Sequence, residues 1–253
     1  MNLPKEVEKY VYYRESNPDL IVLHGDCLEI MPLLPKVDLV VTDPPYGIGA
    51  DRNLRADSQY GNALALSKNY EREYWDIPPT KETFNIIIEM SKRACIFGGN
   101  YFDLPSPQSC WLVWDKDNGN NGYADCELAW TNFKKAVRKF RFQWMGMLQE
   151  NMKEKEFRYH PTQKPVSVIK FAIQQADIEW SILLDPFLGS GTTLVACKEL
   201  NRCGIGIEIS EKYCAVAKSR LLNTPRPLFT DVSGAEDSLK ESPTLFVMPS
   251  DVE

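Results

Sequence analysis

One candidate for chemistry is a short turn, Asp43-Pro44-Pro45-Tyr46, which follows the apolar run Val37–Val41 after a single residue, Thr42. Two consecutive prolines fix φ at both positions and stiffen the turn. The Asp43 carboxylate and the Pro44 carbonyl are hydrogen-bond acceptors suited to an NH2 group, and the Tyr46 ring can stack on a planar base. The turn predicts a site that holds the amine of an aromatic ring; a rigid surface corner without chemistry is the alternative.

A second candidate site is the glycine-rich turn in Ser181–Thr193, which reads SILLDPFLGSGTT. An apolar strand runs there into Gly189-Ser190-Gly191 and then directly into a helix, so that a ligand can approach the backbone and the free amides at the helix start. Glu208 closes the next apolar run, where an acid can accept both hydroxyls of a ribose. The turn lacks the Lys of a phosphate loop and the full dinucleotide pattern. It therefore predicts a nucleoside-type ligand, with an ordinary strand–helix corner as the alternative.

The elements that must position these residues alternate along the chain. Strands are predicted at Leu20–Leu23, Val37–Val41, Ala94–Phe97, Cys110–Trp114, Cys126–Trp130, Ser181–Leu184 and Arg202–Ile207. Helices are predicted at Leu28–Leu34, Lys81–Arg93, Val166–Ala176, Thr192–Leu200 and Glu211–Leu222. This alternation predicts a doubly wound α/β fold with a mainly parallel sheet. Ligands of such sheets bind at the carboxyl ends of the strands. Four acids come just after predicted strands and are therefore expected at that edge of the sheet: Asp26, Asp43, Asp185 and Glu208.

Composition and charge narrow the function classes. The chain has 253 residues, 43% of them hydrophobic, which excludes a wholly disordered chain. No apolar run is long enough to span a membrane, and the charged N-terminus does not resemble a signal peptide, so we expect a cytoplasmic protein without a membrane partner. The seven cysteines include no Cys-x-x-Cys pair and there are two histidines, so no metal site is predicted. The net charge of −6 argues mildly against a DNA partner.

Three motifs in a fixed order carry a family resemblance. DPPY (Asp43–Tyr46) comes first, HPTQKP (His160–Pro165) follows, DPFLGSGTT (Asp185–Thr193) comes late, and a Gly25-Asp26 pair lies upstream. In this order they resemble the β-class, permuted DNA amino-methyltransferases that use S-adenosyl-L-methionine, in particular the N6-adenine type with a DPPY motif. The resemblance covers Leu20 to Leu222. It implies a Rossmann-like methyltransferase fold with permuted motif order, double-stranded DNA as the partner and a link to restriction–modification, and it leaves a homodimer as an open option.

The resemblance also implies roles for individual residues. The catalytic residues would be Asp43, Pro44, Pro45 and Tyr46. The cofactor-binding residues would be Asp26, Cys27, Asp43, Thr162, Lys164, Asp185, Phe187, Gly189, Ser190, Gly191, Thr192 and Glu208. Among these, Glu208 would hold the ribose hydroxyls and Asp26 would contact the adenine of the cofactor. Lys164, assisted by Thr162, would lie against the cofactor from the other side.

DNA contact is predicted in two basic regions outside these motifs. The segment Lys134–Arg141 (KKAVRKFR) contains no acid and has aromatic neighbours, so it can contact phosphates, with a solvated basic face as the alternative. The predicted DNA-binding residues are Arg52, Arg55, Lys134, Lys135, Arg138, Lys139 and Arg141. We expect a catalytic domain over residues 1–222, with residues 48–80 and 117–160 as DNA-contacting insertions. An acidic, Pro-rich tail follows over residues 223–253.

The predicted activity is methylation of the N6 amine of adenine in duplex DNA after base flipping. Methylation at N4 of cytosine is the main alternative; related cytosine enzymes usually carry Ser where Asp43 stands, which favours adenine. Methylation of a ring carbon is excluded because it typically needs a cysteine after a proline, and none of the cysteines follows one. An RNA methyltransferase and a non-catalytic DNA-binding protein on the same scaffold are further alternatives.

Overall fold

The computed structural model describes residues 1–49, 76–105, 109–119, 124–145, 148–153, 155–160, 162–179 and 181–226. Arg52, Arg55, most of the loop 48–80 and nearly all of the tail 223–253 lie outside the described residues. Within the described ranges, no helix combines the length and the apolar character that crossing a membrane requires.

Strands and helices alternate over most of the chain. The strands, in chain order, are β1 (Val11–Glu15), β2 (Leu20–His24), β3 (Val37–Thr42), β4 (Ser91–Phe97), β5 (Trp111–Asp115), β6 (Cys126–Thr131), β7 (Arg138–Arg141), β8 (Trp144–Met145), β9 (Leu148–Gln149), β10 (Ile182–Asp185) and β11 (Cys203–Glu208). The α-helices are α1 (Lys5–Glu8), α2 (Cys27–Ile30), α3 (Lys81–Glu89), α4 (Val166–Gln174), α5 (Thr192–Glu199) and α6 (Glu211–Asn223). Short 3-10 helices, Met31–Leu33 and Gly99–Tyr101, follow α2 and β4.

One large sheet organises the molecule, with the strand order β1-β2-β11-β10-β3-β4-β6-β5-β7. The run from β2 to β4 is parallel throughout. β1 is antiparallel to β2, β6 is antiparallel to both of its neighbours, and β7 runs parallel to β5. The mainly parallel sheet predicted from the sequence is confirmed.

The parallel strands are buried on both faces of the sheet. In β2, Leu20 and Val22 pack into the core that includes α4, α5 and α6, whereas Ile21 and Leu23 pack into the core that includes α1, α2 and α3. Successive side chains of a strand point to opposite faces, so a strand that is covered on both sides reads as a continuous apolar run. Helices cover both faces, which is the doubly wound arrangement.

Several stretches differ from the sequence prediction, which contained no counterpart of α1, β7, β8 and β9. β1 had no counterpart in it, because β1 is the outermost strand at one edge and its residues are only partly buried, so no apolar run marks it. The helix predicted over Lys81–Arg93 ends at Glu89, because Ser91 and Arg93 pair with β3 in the sheet. Residues 117–160 are not an insertion throughout, since β6 and β7 within them belong to the large sheet.

Candidate active site

The candidate site lies where the path of the chain across the sheet changes direction. β10 and β3 are neighbours, and the chain continues from β10 to β11 on one side and from β3 to β4 on the other. Ligands of doubly wound sheets bind at such a point, outside the carboxyl ends of the strands. A cavity of about 680 Å³ opens there, lined by the turns that follow β2, β3, β10 and β11.

The glycine-rich turn between β10 and α5 forms one wall of the cavity. Gly189 (φ +53°) and Gly191 (φ +87°) both have left-handed backbone conformations, which residues with a Cβ rarely adopt. A Cβ on Gly189 would have no neighbour within 4 Å, whereas a Cβ on Gly191 would lie 2.7 Å from the Cβ of Ala217 on α6. Gly189 therefore leaves space for a ligand, and Gly191 allows the turn to pack against α6.

Arg220, on the buried face of α6, holds this turn from behind. Its Nη1 lies within hydrogen-bonding distance of the Ser190 carbonyl oxygen (2.9 Å), Ser190 Oγ (3.0 Å) and Thr192 Oγ1 (2.9 Å). Ser190 Oγ in turn donates to Gln163 Oε1 (3.2 Å), which also accepts from the Tyr159 N–H (3.0 Å). These bonds tie the turn to the segment before α4.

Two carboxyl groups stand at the strand ends beside this turn. Glu208 accepts hydrogen bonds from the N–H groups of Gly189 (2.7 Å) and Ser210 (2.8 Å), and burial raises the pKa of its carboxyl. Asp185, 2% exposed, accepts from Thr42 Oγ1 (2.7 Å) and from the Phe187 N–H (3.0 Å). Burial raises the pKa of Asp185 to about 6, although these hydrogen bonds oppose the shift. Asp185 joins β10 to β3, while Glu208 keeps lone pairs for hydroxyl groups in the cavity.

The Asp43–Tyr46 turn meets Lys164 on another wall of the cavity. Lys164 Nζ lies 2.8 Å from each carboxylate oxygen of Asp43 and 3.1 Å from the Tyr46 hydroxyl, which itself donates to Asp43 Oδ1 (2.8 Å). The Lys164 side chain is 6% exposed and that of Asp43 is 23% exposed, so the carboxylate is the more accessible partner. Burial raises the pKa of Asp43, and the Lys164 ammonium opposes this rise.

Glu127 on β6 completes a group of four charges. Lys164 Nζ lies 2.9 Å from Glu127 Oε2, and Lys116 Nζ lies 2.7 Å from Glu127 Oε1. Burial disfavours the charge on Glu127, but the two ammonium groups outweigh burial and lower the pKa of Glu127 to about 2. Burial likewise disfavours the charge on Lys164, yet Asp43 and Glu127 raise the pKa of this ammonium. Two carboxylates and two ammonium groups therefore balance one another.

The Tyr46 ring is held by aromatic neighbours. Tyr101 stacks on it with ring centroids 5.1 Å apart and an interplanar angle of 21°, and Phe102 meets it edge-on at 5.9 Å. One face of Tyr46 is therefore covered by Tyr101. The turn, the charged group and the ring together can hold an amine on a planar base.

Comparison with known proteins decides the family. Residues 106–219 match the family model N6_N4_Mtase, described as DNA methylase. The chain is 30% identical over 213 residues to the type II methyltransferase M.HpaI of Haemophilus parainfluenzae, which covers 73% of this chain and 68% of that protein. It is 28% identical over 268 residues to the type II methyltransferase M.ScaI of Streptomyces caespitosus, covering 86% of each. The chain belongs to the N6/N4 DNA methylases.

Solved structures agree with this assignment. The M1.HpyAVI–SAM complex matches with a TM-score of 0.50 and 26% identity, covering 79% of this chain and 99% of that one. The PvuII DNA methyltransferase, described as cytosine-N4-specific, has a TM-score of 0.53 and 15% identity over 89% of this chain and 92% of that one, so it shares the fold. This N6/N4 DNA methylase acts on DNA and uses S-adenosyl-L-methionine. Its cavity fits that cofactor, because Gly189 leaves space and Glu208 offers acceptors for a ribose.

Most residues predicted for the DNA methylase site surround one cavity. Those that line it are Asp26, Cys27, Asp43, Pro44, Pro45, Tyr46, Thr162, Lys164, Asp185, Phe187, Gly189, Ser190, Thr192 and Glu208. Gly191 stands behind the wall, against Ala217. Asp26 caps α2 by accepting from the Leu28 N–H (2.8 Å), and Thr162 Oγ1 lies 2.9 Å from His160 Nδ1. The individual roles of these residues remain predictions.

The predicted DNA-binding residues that the structure describes, all between 134 and 141, do not form one surface. Arg141, at the carboxyl end of β7, lies in register opposite Asp115, the residue before Lys116 of the site. Its guanidinium forms an ion pair with Asp117. Lys139 pairs with Asp115 (3.1 Å). Lys134 and Lys135 lie at the opposite end of the sheet. The Lys134 N–H donates to Asp177 (2.8 Å), and the Lys135 carbonyl accepts from Ser109 (3.2 Å). Arg138 is the first residue of β7 and lies between the two ends.

Four residues of the site were not predicted as functional. Glu127 and Lys116 complete the charged group, and Arg220 and Gln163 support the glycine-rich turn. Three of them left a signal in the sequence: Glu127 is an acid within an apolar strand, Gln163 belongs to the HPTQKP motif, and Arg220 shares the apolar face of α6 with Ala217. Among the residues that the structure describes, no group of three or more His, Cys, Asp or Glu side chains could hold a metal ion.

Proposed function

We propose that this DNA methylase transfers a methyl group to the N6 amine of adenine in duplex DNA. The observation that carries the proposal is the Asp43-Pro44-Pro45-Tyr46 turn at the cavity, with the Asp43 carboxylate partly accessible and Tyr46 beside it. The presence of Asp at position 43, where related cytosine-amine enzymes usually carry Ser, supports adenine as the target.

The target base would be flipped out of the duplex and held against Tyr46. Because Tyr101 covers one face of the Tyr46 ring, the base would stack on the other. The amine would donate to Asp43 Oδ2, which has a lone pair remaining beside its bond to Lys164, and to the carbonyl oxygen of Pro44. These two acceptors would favour tetrahedral nitrogen and direct its lone pair towards the methyl donor.

The chemistry supplied by bound S-adenosyl-L-methionine is an electrophilic methyl group on a sulfonium sulfur. Transfer of this methyl group would break its bond to sulfur, form a bond to the amine nitrogen and leave on that nitrogen a positive charge, so the amine would have to lose one proton. Asp43 is the acceptor suited to it, because burial raises its pKa, whereas Glu127, with a pKa of about 2, is held ionised by two ammonium groups. Most of the rate enhancement would come from positioning of the amine by the protein.

DNA would approach the carboxyl ends of the strands from the side of β7. Arg141 and Lys139 lie at or near that end of the sheet and can contact phosphates. Arg52 and Arg55 follow the Asp43–Tyr46 turn in the sequence and stay proposed contacts near the flipped base. Lys134 and Lys135 lie at the far end, so a contact through them needs DNA that reaches beyond the cavity mouth. A DNA substrate is consistent with action in the cytoplasm.

The test is to identify the methylated nucleoside. Purified protein is incubated with labelled S-adenosyl-L-methionine and either duplex DNA or RNA of the same sequence, and the products are digested to nucleosides. We expect labelled N6-methyladenine from duplex DNA. Labelled N4-methylcytosine would replace the proposed base by its main alternative, preferential labelling of RNA would replace the substrate, and no labelling would favour a binding protein without catalysis.

A further inference from the structure

Glu127 and Lys116 form an ion pair beside the catalytic turn. Glu127 contacts Lys164 at 2.9 Å and accepts a longer hydrogen bond from the Tyr46 hydroxyl at 3.4 Å. Glu127 lies on β6, an inner strand of the large sheet, and pairs in register with Trp114 of β5. A charge at such a position is costly unless it is paired. Lys116 alone neutralises it at 2.7 Å. Glu127 therefore does not need its second ion pair, with Lys164 at 2.9 Å, for its own charge to be paired.

The second ion pair acts on Lys164. An ammonium group has three N–H donors, and here they face Asp43, the Tyr46 hydroxyl and Glu127. Lys164 is 6% exposed, so these acceptors determine where its charge sits. Without Glu127 the ammonium would be directed to Asp43 and Tyr46 alone and would neutralise Asp43 more completely.

We propose that Glu127 is a positioning residue for methyl transfer: it shares the Lys164 ammonium with Asp43, so that the Asp43 carboxylate stays fixed in place and remains a strong acceptor for the target amine. The inference rests on the proposed role of Asp43 in holding that amine. Lys116 has a supporting part, since it balances the charge of Glu127 and turns its second carboxylate oxygen away from Lys164. Glu127 itself does not touch the base in this arrangement.

The Glu127→Gln variant separates this role from a structural one. Glutamine keeps the shape and one acceptor but removes the charge. We expect kcat for duplex DNA to fall about 10- to 100-fold, the range seen when the partner that orients a metal ligand is removed. We expect the KM for DNA and the Kd for S-adenosyl-L-methionine to change by less than about threefold, because Glu127 binds neither.

The pH dependence of kcat gives a second readout. The titratable groups that face Asp43 are Lys164 before α4, Tyr46 on the same turn, Glu127 on β6 and Asp185 at the end of β10. The charge of Glu127 raises the pKa of Asp43, so its removal should shift the acid limb of kcat to lower pH. The Lys116→Met variant removes a positive charge instead, so its acid limb should not shift to lower pH. A general loosening of the site would lower the plateau of both variants and leave both limbs in place.

The outcomes are distinct. Wild-type kcat in Glu127→Gln, an unmoved acid limb, or a raised KM with kcat intact would overturn the inference; the last would indicate direct contact with the base. If Glu127→Gln does not fold, the Glu127→Gln/Lys116→Met double variant removes the pair without leaving one charge behind, and its kcat, KM and Kd decide in the same way. Its acid limb is not a criterion, because the two removed charges act on the pKa of Asp43 in opposite directions. Asp43→Ala is measured alongside. Full activity of Asp43→Ala would overturn the proposed function, whereas an inactive Asp43→Ala with a wild-type Glu127→Gln would overturn this inference alone.

Discussion

The two glycines of the turn between β10 and α5 allow backbone strain and steric overlap to be measured separately. Gly189 and Gly191 both have positive φ, so alanine at either position carries a left-handed backbone cost of about 1–2 kcal/mol. The gain from a less flexible unfolded chain is common to both variants and cancels between them. They differ in space, because a Cβ at Gly189 meets nothing within 4 Å and one at Gly191 lies 2.7 Å from the Cβ of Ala217.

Gly191→Ala should therefore lose more stability than Gly189→Ala. Overpacking costs about 1–3 kcal/mol, so the free energy of unfolding should fall by about that much more in Gly191→Ala. The order should reverse for the cofactor. The open space at Gly189 is part of the cavity, and a methyl group there should weaken S-adenosyl-L-methionine binding about 10-fold or more, since about 1.4 kcal/mol of overlap corresponds to a factor of ten.

Urea denaturation and calorimetric titration of both variants with S-adenosyl-L-methionine measure the two effects. Equal losses of stability would refute the crowding of Gly191 against Ala217. Wild-type cofactor affinity in Gly189→Ala would refute the placement of the cofactor against this turn.

Three further predictions concern residues around the cavity. The pKa of Asp185 is raised from 3.8 to about 6, so its contribution to stability is complete below about pH 3.8 and is lost as the pH rises through about 6, a change of about 3 kcal/mol. Urea denaturation from pH 4 to pH 8 should show this fall in the free energy of unfolding in the wild type and not in Asp185→Asn. Parallel profiles of the two proteins would contradict this prediction. A Cβ on Gly98 (φ +69°) would overlap the Tyr46 ring, so Gly98→Ala should lower kcat and leave cofactor affinity intact. In the control variant Gly119→Ala (φ +68°), the Cβ would meet none of the described residues within 4 Å, so kcat should be unchanged. Arg220→Met leaves buried acceptors of the glycine-rich turn without their donor. The variant should therefore lower the free energy of unfolding by about 1–3 kcal/mol and weaken cofactor binding. Wild-type values for both quantities would contradict the supporting role of Arg220.

The sequence predicted the fold where burial on both faces of the sheet leaves continuous apolar runs. β2, β3, β10 and β11 are such runs, and each has at or just after its carboxyl end an acid that lines the same cavity. Edge strands carry no such signal, which is why β1 was not predicted. The end of α3 was misplaced because pairing of Ser91 with Val37 in the sheet outweighs local helix preference.

The candidate site was predictable where its residues are close in sequence and was missed where they meet through the fold. Asp43 and Tyr46 belong to one turn, so their chemistry could be read directly. Glu127 reaches Lys164 because β6 lies between β4 and β5, which no local pattern indicates. The net negative charge likewise did not predict the partner, because binding depends on where basic residues lie. Arg141 stands at the cavity end of the sheet although the chain as a whole is acidic.

The proposed function depends above all on Asp43, which would hold the target amine for methyl transfer. The most direct measurement is single-turnover transfer of labelled methyl to duplex DNA by the wild type and by Asp43→Ala, with cofactor binding measured in parallel. We expect Asp43→Ala to bind S-adenosyl-L-methionine but to transfer the methyl group about 100- to 1,000-fold more slowly, the range for loss of one positioned electrostatic contact. Transfer by Asp43→Ala at the wild-type rate would contradict the proposed role of Asp43.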